Sequence, residues 1–251
     1  MKVSKRDLIL DSIIRAYLID NSPIGSNELC SRMPISIPAS TIRVYFKKLS
    51  DEGAITQFHI SGGRIPTAIA MKAYWREHLA LDGIFDVRNA NVLNLLINEF
   101  GIYSIVFENN KQNLNEILNL DNRFLVLNFD KDEIVLKFNG RVEIDLEQLE
   151  TIAMQVGLSE LKNKISQLRR SKILFLENEK IALDIFEKRS FKKAITPDLE
   201  RIFGSNLIFL NDEYLGMKLD VNFEGKEAKM LCAGSIYNDY ERFLNNLKEA
   251  A

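Results

Sequence analysis

Cationic and polar side chains recur at helical spacing between residues 39 and 52. Arg43 and Lys47 are four residues apart, so on a helix they lie on the same face. Arginine suits bidentate contact with guanine and lysine suits phosphate contact, so this face could bind in the major groove of double-stranded DNA. An ordinary solvated helix face would show the same pattern equally well. We expect Tyr45 to share the exposed surface of this helix, and the candidate DNA-binding residues on it are Ser40, Thr41, Arg43, Tyr45, Lys47 and Lys48.

A second group of candidate residues follows in a glycine-containing turn. His59 precedes the turn, whose sequence is Ser61-Gly62-Gly63-Arg64. Its backbone amides and single guanidinium carry little steric bulk, which suits close approach to a phosphate backbone or a minor groove. Two adjacent glycines are also common in turns with no further role. Together with the basic helix, the turn favours DNA binding over an unspecialised surface.

Three short helices are predicted in front of this turn. Residues 5–20 place apolar side chains on one helical stripe, and Ser26 is predicted as the N-cap of a short second helix. A third helix is predicted from 39 to 52, with Gly53 at its C-cap. Its predicted buried stripe consists of Ile42, Phe46 and Leu49.

A hairpin follows the third helix. Residues 54–60 alternate between apolar and polar types, the glycine turn reverses the chain, and residues 64–67 return. Three helices followed by a hairpin is the order of a winged helix-turn-helix. A further helix, predicted at 68–81, would connect this N-terminal domain, residues 1–81, to the remainder, residues 82–251.

The remainder alternates between helical and strand-like patterns, which predicts an α+β domain with a mainly antiparallel sheet. Predicted helices are 92–100, 114–120, 146–156, 158–170, a charged region at 174–203, and 237–247. Predicted strands are 102–107, 123–129, 133–138, 141–144, 207–210, 215–221 and 228–233.

Charge is distributed unevenly along the chain. Residues 1–80 hold 11 Lys and Arg against 7 Asp and Glu, whereas the remainder holds 22 against 28, consistent with the overall charge of −2. A basic N-terminal module on an acidic body suits a protein that brings one end to a polyanion.

Catalytic or metal-binding chemistry is not indicated by any motif. His59 and His78 have no cysteine or acid at ligand spacing, and the chain has neither a phosphate-binding glycine loop nor a nucleophile elbow. The acidic cluster at 130–133 is interpreted as a solvated turn between strands. Cys30 and Cys232 are interpreted as small buried hydrophobic residues. We therefore expect no enzyme activity and no cofactor.

The N-terminus carries charges of both signs and no apolar leader, and the longest apolar runs are only a few residues. These features predict a soluble cytoplasmic protein with no membrane contact.

Two segments resemble the HrcA family of heat-inducible repressors. The N-terminal match runs from Gly25 to Thr67 without a gap, and a weaker one lies at 233–242. The matching stretches are Pro23-Ile24-Gly25-Ser26, Thr41-Ile42-Arg43, Leu49, Gly53 and His59-Ile60-Ser61-Gly62-Gly63-Arg64-Ile65-Pro66-Thr67.

This resemblance implies a winged helix followed by a GAF-like domain that carries an inserted dimerisation segment, placed at about 158–204. It also implies a homodimer that binds an inverted-repeat operator upstream of chaperone genes, with the chaperonin GroEL as a modulator. A palindromic operator suits such a dimer because each winged helix contacts one half-site.

Two alternatives remain open. One is a winged-helix regulator controlled by a small-molecule ligand in the GAF-like domain, which would change its DNA affinity when the ligand binds. The other is an enzyme or interaction module whose winged helix binds protein, for which the basic helix would not be needed.

Overall fold

The computed structural model describes residues 4–57, 62–108, 114–120, 124–129, 133–137, 172–185, 203–210 and 212–249. Within these ranges the chain divides into two compact units. The larger unit combines residues 1–106 with 174–251, and the smaller one spans 107–173. The larger unit contains both the N-terminal helices and the main sheet, which confirms the α+β class.

Four helices and a short hairpin form the N-terminal part of the larger unit. They are α1 (Lys5–Asp20), α2 (Ser26–Arg32), α3 (Ala39–Asp51), β1 (Ile55–Thr56), β2 (Ile65–Pro66) and α4 (Ala68–His78).

The ends of these helices follow from local side-chain chemistry. Ser4 caps α1 by accepting from the Asp7 backbone N–H at 3.1 Å. The C-cap of α3 is Glu52 rather than the predicted Gly53, which follows it with a left-handed φ of 72°, where glycine is common after a helix. The N-cap prediction for Ser26 is wrong by one residue, because Gly25 occupies the cap position and Ser26 is the first helical residue.

The predicted stripe of α3 is confirmed. Ile42, Phe46 and Leu49 are all buried, and they join the apolar face of α1 in one hydrophobic core. Burial of side chains of this size contributes about 1.5–3 kcal/mol each, so packing rather than helix propensity holds α3 in place.

The hairpin is extended by a third backbone segment. β1 and β2 pair antiparallel, and next to them Ile24 and Arg64 exchange two backbone hydrogen bonds of 3.0 and 2.8 Å. A Cβ built on Gly63 would lie 2.6 Å from the Pro23 and Ile24 backbone. Glycine is therefore needed at 63 because the backbone of another segment approaches this closely.

Helix α4 packs the N-terminal helices against the C-terminal part of the chain. The fully buried Trp75 donates its indole N–H to the carbonyl of Ile236 at 2.7 Å. Its ring meets Tyr240 edge-on at 5.4 Å, and Tyr17 meets Tyr237 similarly at 5.6 Å. The buried residues on both sides of this junction belong to one continuous core.

A six-stranded sheet occupies the rest of the larger unit. Its strands are β3 (Ile84–Val87), β4 (Tyr103–Glu108), β8 (Lys172–Glu177), β9 (Leu207–Leu210), β10 (Tyr214–Phe223) and β11 (Lys226–Ser235). The strand order is β3-β10-β11-β4-β8, and β9 pairs with the first half of β10. The sheet is mixed, because β3 runs parallel to β10 whereas β9 and β11 run antiparallel to it.

Three helices accompany this sheet: α5 (Ala90–Phe100), α6 (Glu179–Ile185) and α7 (Tyr240–Glu249). The long β10–β11 hairpin closes on Glu224 and Gly225, both at positive φ, as the tightest hairpin turns require. The Glu224 side chain also accepts from the first backbone N–H of α5 at 3.1 Å.

The smaller unit contains a separate three-stranded antiparallel sheet. Its strands are β5 (Leu114–Leu120), β6 (Phe124–Phe129) and β7 (Glu133–Lys137), in that order. The acidic residues 130–132 lie outside the described residues.

Two helix predictions in the second half are wrong. Residues 114–120 form strand β5, because their pairing with β6 overrides a pattern of apolar residues that fits a helix as well as a strand. The charged region predicted as helical from 174 begins within β8, and its described helix spans only Glu179–Ile185.

Other predicted elements fall on residues that the structure does not describe. The helices at 146–156 and 158–170 and the strand at 141–144 lie outside the described residues. The same holds for most of the dimerisation segment at 158–204. Among the helices that are described, none combines the length and apolar character needed to cross a membrane.

Candidate nucleic-acid interface

Helix α3 presents one cationic face to solvent. Ser40, Arg43, Lys47 and Lys48 are exposed, as the helical spacing predicted, and Thr41 is half-buried at the margin. Since the opposite side of α3 is packed in the core, this face is the part of the helix that can approach a partner.

Tyr45 does not share that face. It is half-buried and packs against the core beside the apolar stripe of α3, so its predicted exposed position is wrong. Its neighbour Val44 is exposed instead, with 68% of its surface accessible to solvent. The cause is helical geometry: successive residues are about 100° apart, which turns residue 45 toward the flank of Phe46 and Leu49.

Arg43 is held by the first turn of α2. Its Nε donates to the Ser26 hydroxyl at 3.1 Å, and one of its terminal nitrogens donates to the Asn27 amide oxygen at 3.2 Å. These bonds engage Nε and one terminal nitrogen, which form one edge of the guanidinium. Sequence spacing gave no indication of this arrangement, because the partners lie 16 and 17 residues before Arg43.

An open groove separates α3 from the hairpin, with a volume of about 480 Å³. Three cations and one carboxylate line it, so its formal charge is positive. Groove-lining residues are Arg43, Lys47, Ser50, Asp51, Ile55, Thr56, Gln57 and Arg64.

Arg64 joins the hairpin to this groove. Its guanidinium lies 5.8 Å from the centre of the Phe46 ring and donates to the Gly62 carbonyl at 3.4 Å. Its Nε is buried and has no hydrogen-bond partner within the described part of the chain. The Gln57 side chain donates to the same Gly62 carbonyl at 2.9 Å, which ties the two sides of the hairpin together.

The remaining candidates lie around the hairpin tip. Gly62 is exposed and Gly63 is half-buried against the Ile24 segment. His59 and Ser61 lie outside the described residues. The structure thus brings Arg43, Lys47 and Arg64 to one groove.

Neither cysteine thiol suggests a second functional site outside the groove. Burial raises the pKa of the Cys232 thiol to about 12, so the thiol stays protonated at neutral pH and is a poor nucleophile. Cys30 is only half-buried, so its interpretation as a buried hydrophobic residue is only partly right. Among the described residues, no cluster of His, Cys, Asp and Glu could hold a metal ion.

The sequence comparisons with known proteins identify one family. Residues 75–251 match the family model of the HrcA C-terminal domain. The heat-inducible transcription repressor HrcA of Helicobacter pylori strain J99 is 26% identical, over 98% of this chain and 96% of that protein. The repressor of the same name from Mycoplasma mobile is 25% identical, over 94% of this chain and 66% of that protein.

The solved structures include a protein described only as hypothetical, which covers 99% of this chain with 16% identity and a TM-score of 0.48.

The sequence matches define a class of protein: a repressor of transcription, and not an enzyme. Because the family model covers more than half of the chain, the family is established. This chain belongs to the HrcA family.

Proposed function

We propose that this chain represses chaperone operons by binding an inverted-repeat operator through α3 and the β1–β2 hairpin. The observation that carries the proposal is the cationic groove between these two elements, in a chain of the HrcA family. In this proposal residues 1–81 act as a winged helix, with α3 in the major groove and the hairpin against the phosphate backbone. Binding to chromosomal DNA implies a cytoplasmic location.

The proposed assembly is a homodimer. One winged helix contacts one half-site, and coupling two of them raises the effective concentration of the second contact to roughly millimolar levels. We propose that residues 82–251 form a GAF-like domain and that a segment at about 158–204 provides the dimer contact. Sedimentation of the full chain on operator DNA should give two chains per duplex, and one chain per duplex at saturation would contradict this.

We further propose that the chaperonin GroEL raises the amount of active repressor without joining the DNA complex. The motivation is the topology of the main sheet, in which β3 pairs with β10 from more than a hundred residues later. Such non-local pairing folds slowly and exposes strand edges before it forms. When heat unfolds other proteins and these occupy the chaperonin, less repressor would fold. Transcription of the operon would then no longer be repressed.

A footprint on the promoter of the organism's own chaperonin operon tests these proposals. The full chain is refolded from denaturant with or without GroEL and then titrated on the promoter fragment. We expect protection of one inverted repeat, at a lower total protein concentration after refolding with GroEL, and no chaperonin in the shifted complex.

The DNA-contacting variant for this footprint is Arg43→Ala combined with Lys47→Ala, and Lys226→Ala, an exposed lysine in the main sheet, is the control. Loss of protection with the first variant and not with the second supports the proposed interface. Absence of any footprint from the wild-type chain would overturn the repressor assignment. Equal active fractions with and without GroEL would overturn only the chaperonin proposal.

A further inference from the structure

Val44 is an exposed branched side chain at the middle of the cationic face of α3. Every other apolar side chain of α3 is at least half-buried. Val44 lies roughly opposite Ile42 and Phe46 around the helix, so it cannot contribute to the core. It also does not favour the helix, because β-branched residues lose side-chain freedom there.

The residues around Val44 on the helix surface indicate which kind of partner it could contact. Arg43 precedes it, and Lys47 and Lys48 follow one turn later, so three cations surround it on the exposed side of the helix. If α3 lies in the major groove of a DNA duplex with these cations toward it, Val44 would face the edges of the base pairs. The only apolar group that base pairs present there is the C5-methyl of thymine.

We propose that Val44 contacts the C5-methyl group of a thymine in the operator and is a specificity-determining residue of this repressor. The proposal rests on the proposed function, since it requires α3 to lie in the major groove. Contact between Val44 and the thymine methyl group removes water from both apolar surfaces, and this favours thymine over a base without that methyl group. Burial of about one methyl group corresponds to about a fourfold change in affinity for each half-site.

Deoxyuridine substitution tests this contact, because it removes the thymine methyl and leaves base pairing intact. The probe is the duplex that the full wild-type chain selects from a random-sequence library, with each thymidine replaced in turn. Affinities of wild type, Val44→Ala and Ile69→Ala are measured on every duplex. Ile69 is the matched control, an isoleucine on α4 with 76% of its surface exposed.

We expect wild type and Ile69→Ala to lose about fourfold affinity at one thymine of each half-site. Val44→Ala should bind the unmodified duplex about fourfold more weakly per half-site and should show no further loss at that thymine. If Val44→Ala retains the same deoxyuridine profile as wild type, or if wild type is insensitive at every thymine, the proposal is overturned. If the wild-type chain selects no sequence at all, the proposed function fails, and the thymine contact fails with it.

Discussion

Arg43 is oriented before any DNA is present, because two polar side chains of α2 already hold one edge of its guanidinium. A side chain fixed in this way loses less conformational freedom on binding than a free arginine would. In the proposed complex, Ser26 and Asn27 would be positioning residues, and Arg43 would be the side chain that contacts the base. Tyr45, in contrast, acts through the packing of α3 against the core.

Lys47 is exposed like Arg43, but its compact ammonium group suits phosphate contact rather than bidentate base contact. We expect Lys47→Ala to weaken binding to operator and to unrelated duplexes by a similar factor. The slope of log affinity against log salt should fall by about 1, as expected for one lost phosphate contact. Affinities measured between low and moderate salt provide the slope. Lys226→Ala is the control, and an unchanged slope for Lys47→Ala would remove this residue from the interface.

At the scale of elements, the hairpin depends on the close approach of Gly63 to the Ile24 segment. A methyl group at residue 63 would meet backbone atoms at 2.6 Å, and backbone cannot move aside as a flexible side chain can. We expect Gly63→Ala to lower the free energy of unfolding by about 1–3 kcal/mol, the usual cost of overpacking. It should also weaken operator binding, because Arg64 forms the other half of this backbone pair.

Gly204→Ala provides the matched control for Gly63→Ala. Nothing lies within 4 Å of a Cβ at residue 204, so this substitution should change stability by less than about 0.5 kcal/mol. Urea unfolding of both variants supplies the comparison. Equal stability of the two would show that the Ile24 segment yields to the added methyl group.

The elements differ in how well their sequences predicted them. The apolar stripe of α3 and the long strands β10 and β11 could be predicted, since each carries a sustained local period. Strand β5 could not, because its seven residues fit either period and only the pairing with β6 selects a strand. Strand β3 could not be predicted either, because its four residues are held in place by pairing with β10, which lies far along the chain.

The candidate site was predictable to a similar degree. Spacing identified the cations of α3 because residues four apart share a helix face. The predicted buried stripe already fixed the rotation of the helix, so the exposure of Val44 and the flanking position of Tyr45 could have been predicted from the same spacing of about 100° per residue. The Ile24–Arg64 pairing and the Ser26–Arg43 bond were beyond prediction, because they join segments separated by loops.

At the scale of the whole molecule, the N-terminal helices share a core with the main sheet. Trp75 is the only tryptophan and is fully buried at their junction, whereas Cys232 is buried within the sheet. Because one core connects them, we expect both to become exposed in a single thermal transition. Loss of the DNA-binding surface on heating would then accompany unfolding of the sheet.

Two probes on the same sample measure this coupling. Heating should shift the Trp75 emission to longer wavelength at the temperature where Cys232 begins to react with a thiol reagent. Below that temperature the thiol should stay unreactive at pH 8, well under its raised pKa of about 12. A Cys30→Ala background removes the half-buried thiol from the assay. Two separate transitions would show that the N-terminal helices and the sheet unfold independently.

Recognition of DNA sequence by α3 is tested by the effect of Arg43→Ala on the discrimination between two duplexes. Affinities are determined for the selected operator duplex and for a scrambled duplex of equal length and composition, at one salt concentration. We predict that Arg43→Ala lowers the ratio of the two affinities by about 5- to 150-fold, equivalent to about 1–3 kcal/mol, while circular dichroism shows an unchanged fold. An unchanged ratio in the folded variant would show that Arg43 does not take part in recognising the operator sequence.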